Sequence, residues 1–175
     1  MPFTARPPDV APIILDIEAS GFGLGSYPIE VGFVNAEGRP WCSLIRPEPG
    51  WQHWDPEAAT VHAITREQLS LYGRSPREVT QTLNDELFGQ TVYSDAWAHD
   101  YAWLNRLYDA AERTPSFRLD HLRGLLTDDQ AAHWHEVKVR VAQSLGLQRH
   151  RASADARVLQ QTYLTLIHQP RRAAA

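Results

Sequence analysis

Cysteine is nearly missing from this chain. Cys42 is the one thiol in 175 residues, so no internal disulfide can form. That usage agrees with a reducing cytoplasm, which is the expected compartment. Long hydrophobic runs are missing as well. No stretch of about eighteen apolar residues occurs, and that excludes a membrane-spanning helix. The opening residues, Met1-Pro2-Phe3-Thr4-Ala5-Arg6-Pro7-Pro8, lack the apolar core of a signal peptide and read as a flexible arm over residues 1–10. Positive charge is not in surplus either, since the net charge is −4. A protein that grips long duplex DNA through many phosphates is usually basic, so this balance argues against a long electrostatic track. Bound metal would neutralise part of the acidity.

What is present is an ordinary soluble core: 43% apolar and 22% charged residues. The length suffices for one full hydrophobic core, expected over residues 11–168, with a disordered tail at 169–175. There is no internal repeat or linker. The chain is organised around Ile13-Ile14-Leu15-Asp16-Ile17-Glu18-Ala19-Ser20-Gly21-Phe22. Its apolar start and its Gly turn predict a buried strand. Alternation puts Asp16 and Glu18 on the same face, roughly 7 Å apart. Two such carboxylates repel each other and lose hydration, which a hard divalent cation such as Mg²⁺ or Mn²⁺ remedies.

Two further strands follow, at Pro28 to Val34 and Trp41 to Ile45, joined by the turn Asn35-Ala36-Glu37-Gly38-Arg39-Pro40, which predicts an antiparallel meander. Asp55-Pro56-Glu57 starts a short helix, with Pro at its first position. Thr65 to Gln68 and Ser75 to Glu78 fit capping boxes. Val79, Leu83 and Leu87 give the second of these an apolar stripe. A fourth strand is expected at Thr91 to Ser94. A helix is expected from Asp100 to Ala111, with Tyr101, Leu104, Leu107, Tyr108 and Ala111 inward, and a fifth strand near Phe117 to Leu119. Thr127 caps a long helix ended by Gly146, and a last helix runs from about Ser153 to Ile167. This order predicts an α/β domain with a mixed central sheet of about five strands flanked by helices.

Two more acids punctuate the chain. Asp100 stands at a helix start after the fourth strand. Asp155 follows His150 by five residues, in His150-Arg151-Ala152-Ser153-Ala154-Asp155. Four carboxylates from three elements, gathered at one sheet edge, suit two divalent ions about 4 Å apart, an arrangement that cleaves phosphodiesters. His150, with an ordinary pKa of about 6.5, suits the removal of a proton from the attacking water.

At this point the sequence resembles the DEDDh group of 3′–5′ exonucleases, relatives of RNase T, oligoribonuclease and the polymerase proofreading subunits. The first motif of that group matches Asp16-Ile17-Glu18-Ala19-Ser20-Gly21, and its middle Asp matches Asp100. Its closing His-x-Ala-x-x-Asp matches His150 to Asp155, and Arg151 rules out the sister group's Tyr. Val61-His62-Ala63-Ile64-Thr65 also looks like a family segment. The likeness runs from residue 13 to 166.

The resemblance implies a ribonuclease H-like fold. It implies two Mg²⁺ or Mn²⁺ ions on Asp16, Glu18, Asp100 and Asp155, with His150 as general base. The implied substrate is single-stranded or short RNA or DNA, released as nucleoside monophosphates, and Ala19, Ser20, Gly21, Phe22 and His62 are its implied contacts. Several relatives are dimers, so a homodimer stands beside a monomer. Ala19 and Phe22 replace the family's usual Thr and Leu, and Phe22 is expected to stack or wedge against a base. Asp95, Ala96 and His99 replace the middle motif's usual His, Asn and aromatic. Asp95 is thus either an added carboxylate beside the metals or a loop cap.

The remaining candidates have plainer readings. Trp51 and Trp54 serve as core cover or as base-stacking surfaces. His62 also fits a core or capping role. His133 and His135 do not share a helix face, so they make no zinc pair. Cys42 is expected to be buried packing. Two rival functions stand: a non-catalytic nucleic-acid or protein-binding module on the same scaffold, and a ribonuclease H-like endonuclease. The second leaves the His150 to Asp155 spacing without a purpose.

Overall fold

The computed structural model describes residues 10–147 and 150–168. Residues 1–9 of the arm expected over 1–10 and the tail expected at 169–175 lie outside them. A single mixed sheet carries the fold. Its strands are β1 (Ile13–Ala19), β2 (Pro28–Val34), β3 (Pro40–Leu44), β4 (Thr91–Ser94) and β5 (Arg118–His121). They lie in the order β3-β2-β1-β4-β5, so β1 is central. The three N-terminal strands form the expected antiparallel meander, whereas β1–β4 and β4–β5 are parallel. The helices are α1 (Pro56–His62), α2 (Arg66–Tyr72), α3 (Pro76–Glu86), α4 (Trp97–Ala110), α5 (Asp128–Leu145) and α6 (Ala152–His168).

Local chemistry explains most boundaries. Thr65, Ser75 and Thr127 each close a reciprocal capping box, with Gln68, Glu78 and Gln130 respectively. Asp55 caps α1 ahead of Pro56, and Gly146 ends α5 in the left-handed conformation.

The alternation along β1 sorts its side chains into two layers. Leu15 and Ile17 join Ile29, Val31 and Phe33 in a core under α3 and α4, completed by Leu83, Leu104 and Leu107. Ile14 faces the other way, with Val34, against Ala156, Leu159 and Tyr163 of α6. Asp16 and Glu18 continue the Ile14 face, so they emerge on the side that α6 covers.

Three expectations are corrected. Cys42 is exposed, because β3 is an edge strand with one face in solvent. Tyr101 is also exposed, stacked on Trp97, and Trp103 takes the inward place. Helix α4 begins at Trp97 rather than at Asp100, which puts Asp100 in its first turn. Trp51 is core cover, stacked on Tyr27, while Trp54 is half-buried beneath Arg66.

Candidate active site

The site is built from a strand end and the beginnings of two helices. Strand β1 delivers Asp16 and Glu18, opposite Gly32 and Glu30 of β2. A bulge directly after Glu18 bends the chain into the turn that begins at Ser20. Gly21 lies at φ 138°, and a Cβ there would meet Asp55 Cβ at 2.5 Å, so the turn needs Gly. The Ser20 hydroxyl is committed inward. It accepts from the Tyr27 N–H (3.1 Å) and bonds His53 Nδ1 (2.9 Å).

Asp100 reaches the site from the opposite layer. Pairing between β1 and β4 stops at Ile14 and Tyr93, and beyond it the Ile17 N–H donates to the Asp100 carboxylate. The buried Ser94 hydroxyl, at the end of β4, donates to the same carboxylate. Asp100 is only 1% exposed, so these donors replace lost water.

Helix α6 brings Asp155. Its start lies directly on β2, where a Cβ at Gly32 would stand 2.4 Å from the Ser153 nitrogen. His150 sits just before α6 with φ 59°, a left-handed conformation unusual for a non-Gly residue. Its N–H donates to Asp155 Oδ2 at 2.9 Å. One ligand atom each from Glu18, His150 and Asp155 lie within 4.8 Å of one another.

Asp16, Glu18, Asp100, Asp155 and His150 all line one open cleft of about 440 Å³, together with Ala19, Gly21, Phe22 and His62. Ser20 alone among the expected contact residues does not line it. Burial, followed by repulsion from Asp100, Glu18 and Asp155, raises the Asp16 carboxyl well above its ordinary range. Burial and the nearby Asp155 and Glu30 push Glu18 up to about 7, against a smaller opposing pull from Arg151. Burial also lifts Asp100, partly offset by its Ser94 bond. Acids crowded this way gain most from a shared cation, and their oxygen donors suit Mg²⁺ or Mn²⁺.

His62 is buried and turned to the cleft. Its Nδ1 accepts from the Ile64 N–H at 3.0 Å, so the neutral ring carries its proton on Nε2, and Nε2 has no partner among the described residues. Asp95 is ion-paired with Lys138 at 2.8 Å and stands outside this cleft, on the neighbouring one.

Three features escaped the sequence reading. Ser94 tethers Asp100. His99 and Trp103 stack on one another at the cleft wall, 5.6 Å between centroids, with Phe22 edge-on to His99 at 5.0 Å. Arg151 grips Glu30. An aromatic at i and i+4 of a helix start was the available signal for the second. The first and third depend on tertiary contacts.

No family model matches the sequence, and no curated protein matches it either. Solved structures do match. A structure of exonuclease I, solved to explain its processivity, superposes with a TM-score of 0.69 at 12% identity, over 94% of this chain and 42% of that one. The zinc-bound complex of E. coli exonuclease I with single-stranded DNA gives 0.69 at 13% identity, over 93% and 41%. Exonuclease I from Methylocaldum szegediense gives 0.61 at 15%, over 93% and 41%.

The chain has the fold of part of exonuclease I. The mixed five-stranded sheet flanked by helices that the sequence predicts is present. At these identities the likeness concerns the fold alone. The chain also spans about two fifths of the length of the exonuclease I structures it matches.

Proposed function

We propose that this protein is a metal-dependent 3′–5′ exonuclease that hydrolyses single-stranded or short RNA or DNA to nucleoside monophosphates. The observation that carries this reading is the meeting of β1, α4 and α6 at one cleft, each bringing carboxylates, with His150 among them. The solved exonuclease I complexes with oligonucleotides support a single-stranded substrate.

Asp16, Glu18, Asp100 and Asp155 are the residues to hold two Mg²⁺ or Mn²⁺ ions, which when bound activate water and stabilise the charge on phosphate and leaving oxygen. His150 takes the proton from the attacking water, and His62 Nε2–H donates to an oxygen of the terminal nucleotide. Phe22, backed by His99 and Trp103, offers a face to the terminal base. Ala19 and Gly21 are small, which leaves room for the sugar and phosphate. Ser20 holds the turn rather than the substrate. Every group named comes from one chain, so the mechanism calls for no second copy.

The test is the shortening of a 3′-labelled oligonucleotide in Mg²⁺ or Mn²⁺. The wild type should shorten it stepwise from the 3′ end, and Asp16→Ala should abolish that shortening, because the metals that activate the water lose a ligand. Full activity in that variant overturns the assignment. The binding-module alternative draws support from Ala96, which cannot supply the amide that the resemblance expects there, and from Asp95, which is engaged by Lys138. Calorimetric titration with Mn²⁺ separates the two readings, because a module without catalysis has no use for two tightly held ions.

A further inference from the structure

Glu30 stands in the middle of β2 with its side chain 1% exposed, directly across from Glu18. Like charges placed opposite each other on one face of a sheet repel, and a buried carboxylate without a partner is costly. The compensation comes from 121 residues away. Arg151 Nε lies 3.1 Å from both Glu30 oxygens, and Nη2 lies 2.6 Å from Oε1. The Ala152 N–H donates to Oε2 at 2.8 Å. These bonds occupy both oxygens of Glu30 and leave it little capacity to take a cation.

The same contacts fix the segment that carries His150. Arg151 and Ala152 are fastened to β2, and Ser153 rests on Gly32. On the other side the His150 N–H is fastened to Asp155. His150 is thereby held at φ 59° between its own bond to Asp155 and the anchored Arg151, and its ring comes within reach of Glu18 and Asp155. Arginine rather than lysine is required for this, because only a planar fork meets both oxygens at once.

We propose that Arg151 is a positioning residue: through its fork on Glu30 it sets His150 against the carboxylates of the cleft and withholds Glu30 from the cations. This rests on the exonuclease reading, but its test does not depend on that reading alone.

Arg151→Lys keeps the charge and loses the fork. The double variant Glu30→Gln with Arg151→Met removes both charges, so that no buried carboxylate is left unpaired. Each is compared with the wild type by thermal melting, by kcat and KM on a 3′-labelled oligodeoxynucleotide in Mn²⁺, and by the NMR resonances of the His150 ring in the metal-free protein. The expected result for Arg151→Lys is a kcat at least tenfold lower, KM within about twofold, and a displaced or broadened His150 ring signal. The double variant should show the same split. A lower melting temperature with kcat and the His150 signal unchanged overturns the proposal and leaves Arg151 a purely structural ion pair. If the double variant fails to fold, Arg151→Lys decides the question on the same criteria. A wild type that hydrolyses nothing overturns the nuclease reading instead, and the NMR comparison then decides whether the fork places the ring.

Discussion

His62 shows one ring nitrogen to the protein and the other to the cleft. The bond from Ile64 fixes which nitrogen carries the proton, and burial lowers the pKa of the ring, so it stays neutral with Nε2 as a donor. A buried donor without a partner is costly until a ligand satisfies it. Replacing His62 with Ala should therefore raise KM for a short oligonucleotide about tenfold, the equivalent of one hydrogen bond of about 1.4 kcal/mol, with kcat changed less. Steady-state kinetics check this, and an unchanged KM removes His62 from the binding surface. Phe22 is 66% exposed and lines the cleft. Phe22→Ala should raise KM by about tenfold or more, in line with the loss of one base stack, and should leave the melting temperature almost unchanged because little core is disturbed.

Among elements, α6 depends most on a single small residue. Gly32 lets the backbone of Ser153 approach where any Cβ would stand at 2.4 Å. Gly32→Ala must push the start of α6 off β2, at a cost of about 1–3 kcal/mol, as overpacking does elsewhere. Chemical denaturation should show that loss, and activity should fall with it because Asp155 and His150 move together. The positions of β1, β2 and α6 were legible in the sequence for local reasons: apolar alternation, capping chemistry, and a closing Gly on the preceding helix. The acids were legible for the same reason, since their strand register and helix positions can be counted from neighbours. Trp97 to His99 were missed as helix because α4 opens without a side-chain cap, at Ala96. The grip of Arg151 on Glu30 and of Ser94 on Asp100 could not be read, because nothing local to either partner specifies the other. Cys42 was misjudged because membership of a strand does not say whether the strand lies at an edge.

For the whole molecule, the crowded acids make stability depend on pH and on metal in a definite direction. The folded state holds the Glu18 proton up to about 7, whereas the ordinary value is 4.5. Between those limits the folded chain binds more protons than the unfolded one, so these acids make the metal-free protein less stable as pH rises. Asp16 and Asp100 act in the same direction. A divalent cation competes with those protons and reverses the loss. The rise in melting temperature caused by MnCl₂ should thus be small near pH 5 and grow through pH 7, as measured by paired thermal scans. A metal effect independent of pH would show that the ions bind elsewhere. The order in which the ribosome makes the chain adds a last consequence. The acids of β1 are made well before their partner Asp155, which belongs to α6. A growing chain therefore cannot complete the cleft until that helix has emerged and docked.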